Sequence, residues 1–269
     1  MAELFEKAIK FFTDKGVSRE VAIAYLAVGA ALVVLAVVAI VLRIIVMVKY
    51  HDGNTRQTES GKSCVEVARQ ALDQAGLKEV KIAKAGWLRA FFFGNSYSLS
   101  KKTIFLRRGI MNKSSITAVG VAMQKVGIAK LINSGNKTAI VRNRSQVFSL
   151  FGPILLIPII LLGAILDVVI FRVFGTFSIV AIVISALIMV CGLLETFLNL
   201  PVEKKANEMA MQMIKDGNLL TPEEQIIIQK VFDAFIIAYI CEFLIAVLRV
   251  VQIILEVVMN VQISNASRE

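Results

Sequence analysis

A chain of 269 residues in which 57% of positions are hydrophobic, with a mean hydropathy of +0.73, lies far above the soluble average and excludes an ordinary water-soluble domain. The formal net charge of +10 is uneven: from Lys49 to Arg144 there are 18 Lys and Arg against five acidic residues, as expected for a domain lying against an anionic membrane surface. No nucleic-acid reader motif is present, and a single histidine, His51, excludes a two-histidine metal centre within one chain.

In chain order, residues 1–17 are expected to form an interfacial amphipathic helix, with Leu4, Phe5, Ile9 and Phe12 opposed by Glu3, Glu6 and Lys10. Residues 18–48 follow as a first transmembrane helix in which Arg43 is the only charge after Val21. His51 to Lys62 reads as a polar linker. It opens a basic domain, residues 49–148, where Ser63 and Glu66 form a capping box before a helix. Strand candidates run from Glu79 to Ala83 and from Thr103 to Arg107. Between them GWLRAFFFGN carries Trp87, Phe91, Phe92 and Phe93 beside Arg89; it is expected to pack in the core, with a loop dipping into the membrane or gripping a partner as the alternative.

A helix is expected over 114–134, then a transmembrane hairpin over 149–200 and a break at Pro201. In the cytoplasmic segment 201–230, Thr221-Pro222-Glu223-Glu224 starts a helix that continues as a last span over 231–260, before a polar tail at 261–269. Cys64, Cys191 and Cys241 show no C-x-x-C spacing and read as buried apolar residues. The expected fold is mainly α: about four transmembrane helices and a small α+β domain. The flanking Lys49, Arg142 and Arg144 place that domain in the cytoplasm, with the chain integral to the cytoplasmic membrane.

Ionisable groups inside apolar runs are candidates for function. Glu195, Glu242 and Arg249 are the intramembrane charged candidates; Glu242 and Arg249, two turns apart on one helix face, are each expected to pair with another helix or subunit, or else to line an ion pathway. Asp167 and Arg172 are expected to snorkel toward the outer surface. No inverted repeat supports a transporter.

Several segments occur in one order: SGKSCVEVARQALDQAGLKEVKI, KTIFLRRGI, a helix containing Val126-Gly127, LPVE at Leu200–Glu203 and LLTPEE at Leu219–Glu224. Over roughly residues 20 to 258 the chain resembles the bacterial membrane-embedded neutral zinc metallopeptidases (YugP-like). The resemblance implies a zincin-like helix whose H-E-x-x-H motif supplies two zinc ligands and a general base, with a downstream glutamate as third ligand. Here Gln124, Lys125 and Ile128 hold the motif positions, and Glu203 matches the downstream ligand. An amide is a poor zinc ligand, isoleucine is none, and an ammonium takes no proton.

A catalytically inactive homologue is therefore expected, without zinc, acting as a non-catalytic subunit or scaffold. Its partners would be the lipid bilayer, other membrane subunits or its own copies, and no nucleic acid. An active peptidase with an altered site and a transport-related protein are the alternatives. Lys125 is expected to pair with Glu203 in place of the metal, directly or through Gln124.

Overall fold

The computed structural model describes residues 2–167 and 176–266, which form two compact units. The first comprises residues up to Ile44 together with those from Ile237 onward. Its helix α1 (Ala2–Thr13) buries Ile9 and leaves Leu4 and Phe11 exposed. Ile9 packs with Val17 and Ala22, at the start of α2 (Arg19–Thr55), and with Met259, near the end of α9 (Pro222–Ala266). The Ser18 N–H donates to Gln262 Oε1 at 3.0 Å, Tyr25 to Glu256 Oε1 at 3.2 Å, and Cys241 Sγ–H to the Leu35 carbonyl at 3.7 Å. Partners advance along one helix as they retreat along the other, so α2 and α9 run antiparallel here.

α2 and α9, the latter through Ile263, are long and apolar enough to cross a membrane. Glu242 and Arg249 are exposed on α9 in this unit.

The second unit, Ile45 to Ile236, is built around α6 (Ile116–Asn133), in which only Lys130 and Asn133 escape burial. Ser115 caps α6 by accepting from the Ala118 N–H at 3.4 Å. Packed with it are α3 (Cys64–Gln74), a three-stranded sheet and α8 (Thr176–Asp216), sharing a core that includes Leu72, Ile104, Leu106, Met123, Ile214 and Phe232. The sheet order is β1 (Lys81–Lys84), β3 (Thr103–Leu106), β2 (Ser96–Ser98). β1 runs parallel to β3 with Lys81 opposite Thr103, and β2 antiparallel with Ser98 opposite Thr103. The capping box before α3 is complete, the Ser63 N–H donating to Glu66 Oε2 at 2.7 Å and its hydroxyl accepting from the Glu66 N–H at 3.3 Å. Cys64 is fully buried, and burial pushes its thiol up to about 11, which leaves it unreactive at neutral pH.

Four expectations are corrected. The segment from His51 is not linker from the outset: α2 continues to Thr55. Its end is docked, the Thr117 hydroxyl donating to the Tyr50 carbonyl at 3.0 Å, and a side chain at Gly53 would collide with Thr117 Oγ1. Pro201 does not end a helix, because α8 runs through it. The missing N–H costs about 3 kcal/mol in a helix interior, and bonds from another helix to residues on both sides hold the stretch in place.

The aromatic run forms a short helix, α4 (Trp87–Phe92), with no buried residue. Trp87 is 80% exposed and Phe91 69%, their rings stacked on each other at 6.5 Å. Arg89 takes the inward position, its guanidinium 4.0 Å from the Phe105 ring. Asp167 is buried and caps α8 by accepting the Phe177 N–H at 2.8 Å; Arg172 lies outside the described residues. The expected hairpin over 149–200 falls on α7 (Lys137–Ile165) and the first part of α8, with 168–175 outside the description.

Candidate functional site

Three helices of the second unit converge on one buried polar cluster. α6 supplies Gln124 and Lys125, α7 supplies Arg142, and α8 supplies Glu195, Asn199, Glu203 and Asn207. The α8 residues recur every four positions, so they stack along one helix face. α6 reaches that face through Gly127, where a Cβ would run into the carbonyl oxygen of Ala206.

Gln124 Nε2–H donates to Asn207 Oδ1 at 3.0 Å. Arg142 Nη2–H donates to Glu203 Oε1 at 2.7 Å and to Asn199 Oδ1 at 2.6 Å, while its Nε lies 3.1 Å from that amide oxygen and 3.7 Å from Glu195 Oε1. Asn199 and Glu203 stand on either side of Pro201, which is why the proline is tolerated. Glu203 is 1% exposed; its Oε2 and the Asn207 Nδ2 are buried without a hydrogen-bond partner among the described residues.

The expected pairing of Lys125 with Glu203 is therefore replaced: among the described residues Arg142 makes the ion pair. A guanidinium presents a planar fork of donors that serves a carboxylate and an amide together, which a single ammonium does less well. Gln124 turns to Asn207, and Ile128 is a core side chain. Glu195, expected as an intramembrane candidate, joins the same cluster through Arg142.

Burial holds the Lys125 ammonium well below the ordinary lysine value of 10.5; the Glu203 carboxylate opposes that shift and the Arg142 guanidinium adds to it. Between the lowered value and 10.5 the folded chain binds fewer protons than the unfolded one, so stability rises with pH across that window. In Lys125→Met that rise is expected to disappear, with no loss of stability at neutral pH, because Glu203 keeps its arginine. Unfolding of both proteins in detergent from neutral pH upward measures the difference.

As a zinc site the donor set does not fit. Glu203 is the one anionic ligand among the four motif-matched positions, with its Oε1 held by Arg142 and only Oε2 without a partner among the described residues, while Lys125 brings a second cation to the place of the general base. Among the described residues no three His, Cys, Asp or Glu side chains gather as a metal site. Arg142, Asn199 and Asn207 were not singled out from the sequence as parts of a site. The signal available was the four-residue spacing from Glu195 to Asn207, hidden by the break expected at Pro201.

No match was found among curated proteins or among solved structures. A family described as "Putative neutral zinc metallopeptidase" matches residues 28–258, a stretch that contains α6, α7, α8 and every residue of the cluster. The chain belongs to this neutral zinc metallopeptidase family.

Proposed function

We propose that the chain is a non-catalytic member of its family, a membrane subunit or scaffold that keeps the helix platform of a peptidase and has lost its reaction. The observation that carries this reading is Arg142 seated on Glu203, which puts a fixed cation against the carboxylate that would otherwise hold the metal. Metal-assisted hydrolysis needs an open coordination position and a base beside it. Gln124, Lys125 and Ile128 supply neither ligand pair nor carboxylate base. α2 and α9 support placement in a bilayer, and the basic stretch from Lys49 to Arg144 favours the anionic cytoplasmic leaflet.

The test is elemental analysis with activity measurement on the full chain purified in mild detergent. After a brief chelator wash, zinc is expected far below the value of about one per chain that a resident catalytic site requires, with no hydrolysis of unfolded protein substrates. Stoichiometric zinc with chelator-sensitive cleavage would overturn the reading. Cleavage that survives chelator and vanishes in Lys125→Met would overturn it too, by making Lys125 a base. For the scaffold role, crosslinking in native membranes is expected to capture a stoichiometric protein partner or a second copy.

A further inference from the structure

A cleft of about 400 Å³ opens between α4, β2 and the start of α7. It is lined by Arg89 and Arg144, the hydroxyls of Ser98 and Ser100, and the polar groups of Tyr97 and Asn143, with no carboxylate among its described lining residues. The walls are tied together: Asn143 donates to the Tyr97 carbonyl at 3.0 Å and accepts the Leu99 N–H at 3.1 Å. Arg89 is held on the Phe105 ring and donates to Ser96 Oγ at 3.3 Å, while its Nε is buried without a hydrogen-bond partner among the described residues. Arg144 is exposed at the opposite wall.

Two features indicate what this cleft faces. The apolar run of α7 begins at Ser149, five residues past Arg144, a rise of about 7.5 Å at 1.5 Å per residue. Beside the cleft, α4 turns Trp87, Leu88 and Phe91 into solvent, the residue types that settle at the headgroup level of a bilayer. Arg107 braces α4 from behind, its guanidinium donating to the Ala90 carbonyl at 3.0 and 3.2 Å. Two arginines lining one cleft with serine hydroxyls form a donor set suited to a phosphate monoanion.

We propose that this cleft binds the phosphate of an anionic phospholipid headgroup, with Trp87, Leu88 and Phe91 seated in the adjoining lipid interface. The proposal rests on the membrane placement above and is independent of the loss of catalysis. It gives the exposed aromatic helix an apolar environment.

Trp87 is the only tryptophan in the chain, so its fluorescence reports on this site alone. The full chain in detergent is titrated with short-chain phosphatidylglycerol, phosphatidylcholine of the same chain length, and inorganic phosphate. A saturable blue shift is expected with phosphatidylglycerol only, and Arg89→Gln and Arg144→Gln should each weaken it about tenfold, the worth of one charge-assisted hydrogen bond. Arg144 is exposed, so its variant tests the cleft even if Arg89→Gln misfolds. An equal response to phosphatidylcholine, a response to inorganic phosphate alone, or an unchanged Arg144→Gln titration would each overturn the proposal. Resistance of the wild-type chain to alkaline carbonate extraction tests membrane integration separately: a chain that resists extraction but ignores phosphatidylglycerol overturns the lipid site alone.

Discussion

Arg142→Met is expected to destabilise the full chain by about 3–5 kcal/mol, the loss typical when one partner of a buried ion pair is removed. The change strands the carboxylate of Glu203, which is 1% exposed, and removes a cation beside Glu195. Unfolding in detergent, followed by helix signal or protease susceptibility, measures the loss. Adding Glu203→Gln should recover a large part of it, because an amide tolerates burial without a counter-charge far better than a carboxylate does. The double-mutant cycle is decisive, since additive effects at 142 and 203 would show that the two side chains do not interact. In contrast to the lysine variant, Arg142→Met is expected to be harmful at neutral pH.

Gly127→Leu is expected to give the second large loss, with Gly127→Ala costing about 1–3 kcal/mol as an overpacked contact and leucine more. A Cβ at this position meets the Ala206 carbonyl oxygen, with the Ala206 carbonyl carbon at 3.0 Å and the Ala210 nitrogen at 3.3 Å. These are backbone atoms in the middle of α8 and have no rotamer with which to yield. α6 and α8 must separate, and the Gln124–Asn207 bond lengthens with them. A companion substitution distinguishes this from ordinary crowding: Ala206→Gly should not rescue Gly127→Ala, because the methyl of Ala206 is not what the new side chain strikes. Thermal unfolding of the single and double variants checks both statements, and rescue by Ala206→Gly would count against backbone contact.

The parts legible from sequence are those set by short-range chemistry. Ser63 with Glu66, and Thr221 with Pro222 and Glu224, fix helix starts through groups three residues apart, and both caps are formed. The helix over 114–134 and the strands near Lys81 and Thr103 follow from apolar patterning, and β1 and β3 lie within a residue or two of the positions expected. What escaped depends on distant partners. Trp87 and Phe91 look like core residues in composition, but Arg89 has the inward place because Phe105 offers it a ring face. β2 is three residues with two serines and exists by pairing with β3. Pro201 normally stops a helix, but here the bonds from Arg142 to residues 199 and 203 span it and Val202 and Ala206 beside it are packed in the core. Family resemblance brought Gln124, Lys125, Ile128 and Glu203 together as positions, but it could not name the arginine, which comes from a third helix.

That arginine would make a zinc centre hard to build here. Restoring histidine at 124 and 128 and glutamate at 125 would rebuild the letters of a zinc motif, yet the downstream carboxylate would still be held by a guanidinium at 2.7 Å. An incoming dication would meet a fixed positive charge in a pocket with little water to screen it. A zinc-motif ligand set and Arg142 are therefore expected to disfavour each other, and the effect of introducing one and removing the other depends on the order of the changes. Made while Arg142 remains, the two histidines would bury imidazoles in place of an amide and an apolar core side chain, and Lys125→Glu would exchange one buried charge for its opposite, with no metal yet to hold them. Removing Arg142 first strands Glu203. A path from this arginine-bearing centre to a metal-bearing one is thus expected to cross a less stable intermediate whichever change is made first.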